Sequence, residues 1–397
     1  MSRLIFHIDV NSAFLSWEST RRVKEGLPDL RDIPACIGGD PKKRTGIVVA
    51  KSIPAKKYGI QTGEPMAMAL RKCPDLVIVQ SDFELYVKCS RAFKEICASY
   101  TPIMESFSID EVFLDMTGMS LLYPDPIAAA HEIKDRIHRE LGFTVNVGVS
   151  TNKLLAKMAS DFEKPDKVHT LFPEEVPLKM WPLSINELFM AGKSSVDTMK
   201  KLEINTIGDL AKADPALIEL HLKSHGRMLW NFANGIDDSQ VQSKPSEAKG
   251  IGNSTTLSED AATYEEVQKV FKSLAQSVGG RLKKAGQKAM MVSMEVKYHN
   301  FQTMSHQRQL SKPTDKEEEI YDAACQLFLE SWNGEPVRLL GIRTAKLVDA
   351  SEPEQLSLFD IKIPEKPDEK HQKLNKAMEE IRKKFGDSAV MKASEMK

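Results

Sequence analysis

The sequence predicts an α+β chain built from several domains. Three observations carry this. Two short apolar runs end in carboxylates, Phe6-His7-Ile8-Asp9-Val10-Asn11 and Ser108-Ile109-Asp110-Glu111-Val112-Phe113. Residues 76–165 read strand, helix, hairpin, helix, strand, helix, the layout of a ferredoxin-like sheet with helices on one face. After a stretch of short helices and a polar segment, residues 250–348 form a second mixed unit of strands and helices.

Residues 4–10 form an apolar, buried strand. Residues 11–25 have helical spacing, with Ala13, Phe14, Trp17 and Val23 on the apolar side. Gly38-Gly39-Asp40-Pro41 is a turn, Lys42-Lys43-Arg44 a basic knot, and residues 46–50 a short strand. Tyr58-Gly59-Ile60 and Thr62-Gly63-Glu64-Pro65 punctuate loops before a short helix at 66–71. Residues 76–79 are a strand. Residues 82–99 are a helix with Leu85, Cys89, Phe93 and Ile96 on one side. Residues 105–115 form a strand pair with Asp110-Glu111 at or near its turn. A helix over 126–141 and a strand over 144–149 follow. The next helix, 152–162, is capped by Ser150 or Thr151 and stopped at Lys164-Pro165-Asp166.

From 167 to 232 short helices are broken by Pro and Gly. Residues 183–210 resemble a helix-hairpin-helix, a unit that offers backbone N–H groups to phosphates. Residues 237–249 are polar without an apolar period and read as a linker. The second unit reads strand, helix 263–284, strands 288–299 and 302–310, helix 315–331 and strand 336–348. Beyond 349 the chain turns polar, with a charged helix-like stretch near 370–385.

Hydrophobic content of 41% and charged content of 28% over 397 residues are those of an ordinary soluble protein of more than one domain. The net charge of −1 argues for neither nucleic acid nor membrane, because a whole-chain sum hides basic faces balanced by acidic ones. The five cysteines are scattered and include no CxxC pair, so reduced thiols in a cytoplasmic protein are expected rather than a zinc ribbon or a disulfide framework. The run after Ser2-Arg3 ends at Asp9 and is no signal peptide. No apolar stretch approaches the ~18 residues of a membrane span.

Carboxylates are usually avoided in strands. If the two acidic strands lie side by side, Asp9, Asp110 and Glu111 converge and repel one another unless cations neutralise them. Oxygen-only ligands favour Mg²⁺, and two such ions about 3.5–4 Å apart serve in-line phosphoryl transfer. The plainer alternative is a solvated helix cap at Asp9 and a solvated turn pair at Asp110-Glu111.

Three motifs occur in order: His7-Ile8-Asp9-Val10-Asn11-Ser12-Ala13-Phe14, Ser108-Ile109-Asp110-Glu111-Val112-Phe113-Leu114-Asp115, and Gly148-Val149-Ser150-Thr151-Asn152-Lys153-Leu154-Leu155-Ala156-Lys157 leading to Lys164-Pro165. On these the chain resembles a Y-family (translesion) DNA polymerase of the bacterial DNA polymerase IV type, over roughly residues 3–348 plus a tail motif. The resemblance implies a right-hand polymerase. Its ferredoxin-like palm spans 1–12 and 77–166, its small fingers 13–76 and its helical helix-hairpin-helix thumb 167–235. A linker at 236–245 leads to an α+β little-finger DNA-binding domain at 246–348 and a tail at 349–397.

By the same resemblance Asp9, Asp110 and Glu111 are catalytic and hold two Mg²⁺ ions with the Val10 carbonyl, Mn²⁺ being a possible substitute. Phe14 is the steric gate against a 2′-hydroxyl. Asn11, Ser12, Ala13, Phe14, Lys56 and Lys164 bind the nucleotide. Asp115 is structural, and Lys157 is divided between packing and phosphate contact. The chain departs from the family at its Tyr-x-x-Arg pair, replaced here by Ile53 and Lys56. Lysine keeps the charge but loses the bidentate fork. Weaker nucleotide binding, or compensation by Lys51 or Lys57, is expected.

The thumb's Gly-x-Gly turn is reduced to Gly192, with Lys193 and Ser194 beside it as DNA contacts. In the last domain Lys283, Lys284, Lys297, Arg308 and Arg343 are the candidate DNA contacts, with Arg281, Lys288 and Lys346 near them, which would make binding salt-dependent. Gln355-Leu356-Ser357-Leu358-Phe359 looks like the motif that bacterial polymerases insert into the sliding clamp. The expected activity is template-directed, low-fidelity synthesis on damaged templates, by a cytoplasmic monomer with primer–template DNA, dNTPs and the clamp as partners and no membrane. A nucleotidyl cyclase and a clamp-bound DNA-binding protein without catalysis are the alternatives.

Overall fold

The computed structural model describes residues 3–40, 46–244, 247–351, 376–378, 380–381 and 384. The chain divides into two compact units, with the main boundary at Ala248 and Lys249. The clamp-like motif at 355–359 and the basic knot at 42–44 lie outside the described residues. Of the helix expected near 370–385, the described positions are helical.

The first unit runs β1 (Ile5–Val10), α1 (Ala13–Lys24), β2 (Ala35–Gly38), β3 (Val48–Lys51), α2 (Ile53–Lys57), α3 (Met66–Lys72), β4 (Val77–Gln80) and α4 (Phe83–Ala98). It continues with β5 (Met104–Ser106), β6 (Glu111–Asp115), α5 (Pro126–Leu141), β7 (Val145–Ser150), α6 (Lys153–Ser160) and β8 (Val168–Thr170). The five-stranded sheet has the order β5-β6-β1-β7-β8, with β1 antiparallel to both β6 and β7.

Every side chain of β1 is buried, because both faces of this central strand are covered. Strand periodicity sends Phe6, Ile8 and Val10 to one face, where they join Phe93, Ile133 and Ile137 in the main core. It sends Ile5, His7 and Asp9 to the other, against α6. There Gly148, opposite His7, lets α6 lie almost on the backbone of β7. A Cβ at Gly148 would stand 1.9 Å from the Ala156 carbonyl oxygen.

The structure corrects several expectations. The helices are not confined to one face, since α6 covers the face opposite α4 and α5. The strand at 76–79 does not enter this sheet. It pairs parallel with β2 in a three-stranded sheet of order β3-β2-β4, around Cys36, Val48, Ala55 and Met66. The strand that completes the ferredoxin-like set is β1, and β8, unforeseen, adds parallel to β7. In α1, Ala13, Leu15 and Trp17 enter the main core, while Val23 is exposed. The cap of α6 is Asn152, whose side chain accepts a hydrogen bond from the Leu155 N–H, not Ser150 or Thr151.

Beyond β8 lie α7 (Lys193–Lys201), α8 (Ile207–Lys212) and α9 (Pro215–Ala233), packed around Met180, Ile185, Ile207 and Leu229. The segment read as a linker is anchored. Val241 is buried against Ile5, Phe113 and Ala156, and the Gln242 N–H donates to Glu105.

The second unit is a four-stranded antiparallel sheet of order β11-β10-β12-β9 with two helices on one face. Its elements are β9 (Gly250–Ala261), α10 (Tyr264–Ala285), β10 (Gln287–Tyr298), β11 (Thr303–Thr314), α11 (Glu317–Ser331) and β12 (Val337–Asp349), in the predicted order. Cys36, Cys73, Cys97 and Cys325 are buried and Cys89 is half-buried. Among the described residues no helix is long and apolar enough to cross a membrane.

Candidate active site

Register brings the two acidic strands together. Asp9 stands opposite Glu111 on β6 and Asn146 on β7, all on the α6 face. The Val10 N–H donates to the Asp110 carbonyl at 3.1 Å, so Asp110 sits in the turn beside the end of β1. The three carboxylates share one end of the sheet, but their side chains do not close on one point. Among the described residues no group of three His, Cys, Asp or Glu is gathered closely enough to hold a metal ion.

The reason lies in what neutralises each carboxylate. Lys157 pairs with Glu111, with Asp161 at 3.2 Å and with Asp9 at 3.9 Å. Lys164 pairs with Asp9 and, at 2.8 Å, with Asp161. Asp110 instead accepts a hydrogen bond from the Ser108 hydroxyl at 2.6 Å. The Asp9 carboxyl is raised to about 6 on balance: burial pushes it up, Lys164 and Lys157 offset part of that push, and Glu111 adds a smaller upward one. Burial opposes charge on Lys157 and Lys164 as well, yet Asp9 and Asp161 hold both ammonium groups above their ordinary value. His7 is fully buried, packs on the Phe113 ring and is held well below its ordinary value by burial and by the nearby lysines.

A cleft of about 580 Å³ opens at this end of the sheet. Asp9, Val10, Asp110 and Lys164 form one wall, residues 11–14 the floor, and Lys51, Ile53 and Lys56 the facing wall. Ser12 takes a left-handed backbone (φ 48°) and starts α1 without a side-chain cap, so the first-turn N–H groups have no cap acceptor. Phe14 lines the cleft while stacked on Tyr86, ring centroids 4.7 Å apart. Asn11 is occupied otherwise: its amide donates to Asn146 and its oxygen accepts from the Asp166 N–H, which fixes the turn carrying Lys164.

The facing wall is built around Ser52. Its hydroxyl donates to the Ile33 carbonyl and accepts from the Ala35 and Ala55 N–H groups, locking the corner between β3 and α2. The corner turns Lys51 and Lys56 toward the cleft, while Ile53 lies exposed at its rim. Lys51 donates to the Thr62 hydroxyl at 3.3 Å, and among the described residues neither lysine forms an ion pair. Burial, and then Lys56, lower the Lys51 amine below its ordinary value. Of the two compensating lysines foreseen, Lys51 lines the cleft and Lys57 does not. Asp161 was missed from the sequence altogether, although its spacing to Lys157 and Lys164 places all three at one helix end.

The other candidates are distributed. Gly192 precedes α7, with Lys193 and Ser194 exposed in its first turn. Met190 holds the left-handed conformation (φ 68°) in the shortened turn. In the second unit Lys297 and Arg343 share the open sheet face with Ser293, Glu295 and Gln307, beside a groove of about 930 Å³. Three expected contacts face elsewhere. Arg308 lies opposite the buried Val292 and is bound by Gln326 and Glu330 of α11. Lys283 pairs with Glu317 at 3.6 Å, and Lys284 is its neighbour in the last turn of α10. Strand alternation turns Arg308 away from Gln307, whereas Lys283 and Lys284 stand on α10 rather than on the sheet.

The impB/mucB/samB family model matches residues 8–161, and the model of that family's C-terminal domain matches residues 248–358. The DNA polymerase IV of Clostridium acetobutylicum is 44% identical over 99% of this chain and 98% of its own length. The chain belongs to the impB/mucB/samB family. Other members are the DNA polymerase IV of Acetivibrio thermocellus, 38% identical over 98% of this chain and 96% of its own, and DNA polymerase IV 1 of Bacillus subtilis, 37% identical over 100% and 94%. The family fold extends to a solved Y-family DNA polymerase chimera of Dbh and Dpo4, with a TM-score of 0.76 at 20% identity over 87% of this chain and 99% of that one. Of the residues lining the cleft, all but Lys164 and Pro165 fall within the matched residues 8–161.

Proposed function

We propose that the cleft beside Asp9 binds the incoming deoxynucleotide, and that Asp9, Asp110, Glu111 and the Val10 carbonyl hold two Mg²⁺ ions there, with Mn²⁺ as a substitute. The chain is a DNA-directed DNA polymerase of the translesion type, and polymerases of this family use divalent metal ions. The single observation that carries the site reading is that Asp9, Asp110, Phe14, Lys51, Lys56 and Lys164 line one cleft. The donor set fits a hard cation in kind: it is all oxygen, and Asp9 and Glu111 stand opposite each other on adjacent strands with cationic ammonium groups already drawn to them.

When bound, such ions favour ionisation of the primer 3′-hydroxyl and offset charge on the leaving pyrophosphate. The protein's own groups do the rest. The N–H groups at the start of α1 and the amines of Lys51, Lys56 and Lys164 bind the triphosphate. Phe14, braced by Tyr86, presents its ring to the sugar and excludes a 2′-hydroxyl. The N-terminal turn of α7 holds a duplex phosphate through Gly192, Lys193 and Ser194, while Lys297 and Arg343 approach the DNA from the second unit. Residues 355–359 dock on the sliding clamp, a reading supported by the sequence motif. The protein acts as a cytoplasmic monomer.

The test is release of pyrophosphate from dNTPs and Mg²⁺ with and without primer–template. Release only with both strands present is expected. Release without primer would indicate cyclisation, and none at all, with DNA still bound, would indicate a non-catalytic DNA-binding protein.

A further inference from the structure

We infer that Asp161 is a positioning residue that takes up the ammonium groups of Lys157 and Lys164 when cations displace them from Asp9 and Glu111. Asp161 ends α6, one turn after Lys157 and three residues before Lys164. It meets each lysine with a different oxygen, Oδ2 to Lys157 at 3.2 Å and Oδ1 to Lys164 at 2.8 Å. The same two amines neutralise Glu111 and Asp9. Two ammonium groups are thus shared among three carboxylates. Asp161 is the one outside the strand pair, with its side chain 45% exposed against 11% for Asp9 and 17% for Glu111.

The consequence is electrostatic. Divalent ions at Asp9 and Glu111 replace the ammonium groups there, because like charges cannot share those oxygens in a half-buried site. Lys157 is nearly buried, so its displaced ammonium needs an anion rather than open water. Asp161 is already in contact and supplies that anion without rearrangement of the backbone. It also keeps Lys164 at the rim of the cleft, where a phosphate would meet it. Asp161 therefore eases cation entry without being a ligand. This inference rests on the reading of Asp9 and Glu111 as metal ligands.

Mn²⁺ binding to the full chain without nucleotide, followed by calorimetry, tests it. Asp161→Asn should bind about fivefold more weakly, the worth of a half-exposed charge pair, and should still fold, with thermal unfolding lowered by no more than about 4 °C. Asp161→Glu should stay within about twofold of the parent. In a Lys157→Met background the effect of Asp161→Asn should largely vanish, since there is less displaced charge to accept. Parent-like binding by Asp161→Asn, or equal weakening with Lys157 removed, would overturn the inference while leaving the metal reading intact. A parent that binds no Mn²⁺ would overturn the metal reading and this inference with it.

Discussion

Asp9 and Glu111 stand directly opposite each other on the antiparallel strands β1 and β6, and Lys157 lies between them. Side chains directly opposite across a sheet are close neighbours, and like charges there are destabilising unless compensated. The paired lysines supply the compensation, at the place where the proposed chemistry needs divalent ions. The site therefore exchanges one set of cations for another.

Cation affinity should depend on pH through Asp9. Burial, offset in part by Lys164 and Lys157, raises its carboxyl to about 6 on balance, and a cation binds the ionised form. Affinity for Mn²⁺ should fall about tenfold per unit as pH drops below that value and level off well above it. The stability of the metal-free protein should carry the opposite sign. Between the ordinary aspartate value and about 6 the folded chain holds a proton that the unfolded chain has lost, so Asp9's contribution declines as pH rises across that window. Calorimetric titrations below and above the window check the first statement; pH-independent affinity would contradict it.

Phe14→Val should relax sugar selection. The ring stacks on Tyr86 and meets Trp17 and Phe83 edge-on, so it is held rigidly at the cleft. Its loss should raise ribonucleotide incorporation relative to deoxynucleotide by at least about tenfold and lower stability by about 1–2 kcal/mol. Paired kcat/KM values for a dNTP and its rNTP give the first figure and denaturant unfolding the second.

Lys51 and Lys56 should share the task that a Tyr-x-x-Arg pair performs in relatives. Lys51→Ala and Lys56→Ala should each raise KM for the nucleotide about fivefold, while Lys57→Ala, outside the cleft, should not. Installing Ile53→Tyr with Lys56→Arg should tighten binding and make Lys51→Ala less costly. Steady-state kinetics on one primer–template decides this, and an equal response to Lys51→Ala and Lys57→Ala would refute it.

In the second unit, Arg343→Ala should weaken binding to duplex primer–template several-fold, with a smaller salt dependence. Arg308→Ala should leave DNA affinity unchanged and remove at most about 1 kcal/mol of stability, because its fork is spent on Glu330 at a partly exposed position. Fluorescence anisotropy over a salt series separates the two.

Much of this was legible in the chain. The apolar runs around Asp9 and after Glu111 mark buried strands, and the spacing from 126 to 141 marks α5 residue for residue. Sheet membership was not legible. The strand at 77–80 reads the same whether it joins β1 or β2, and its partner is set by tertiary packing. β8 is three residues long, too short to carry a period. In the second unit the basic residues were visible, but which of them share a face depends on register, and Arg308 is one residue from the open side. At the site, the acidic strands were plain from their composition. The lysines standing on them were not, since Lys157 and Asp161 acquire their roles only when α6 is laid across β7 over Gly148.

The most direct test of the central claim is extension of a labelled primer on a DNA template with Mg²⁺ and dNTPs, by the parent and by Asp110→Ala. Asp110 touches Ser108 and the end of β1 rather than the lysine network, so its loss should spare the fold. Extension by the parent and none by the variant, with equal DNA binding, is the predicted result. Equal extension by both, or none by a parent that still binds primer–template, would contradict the assignment of this cleft as the polymerase active site.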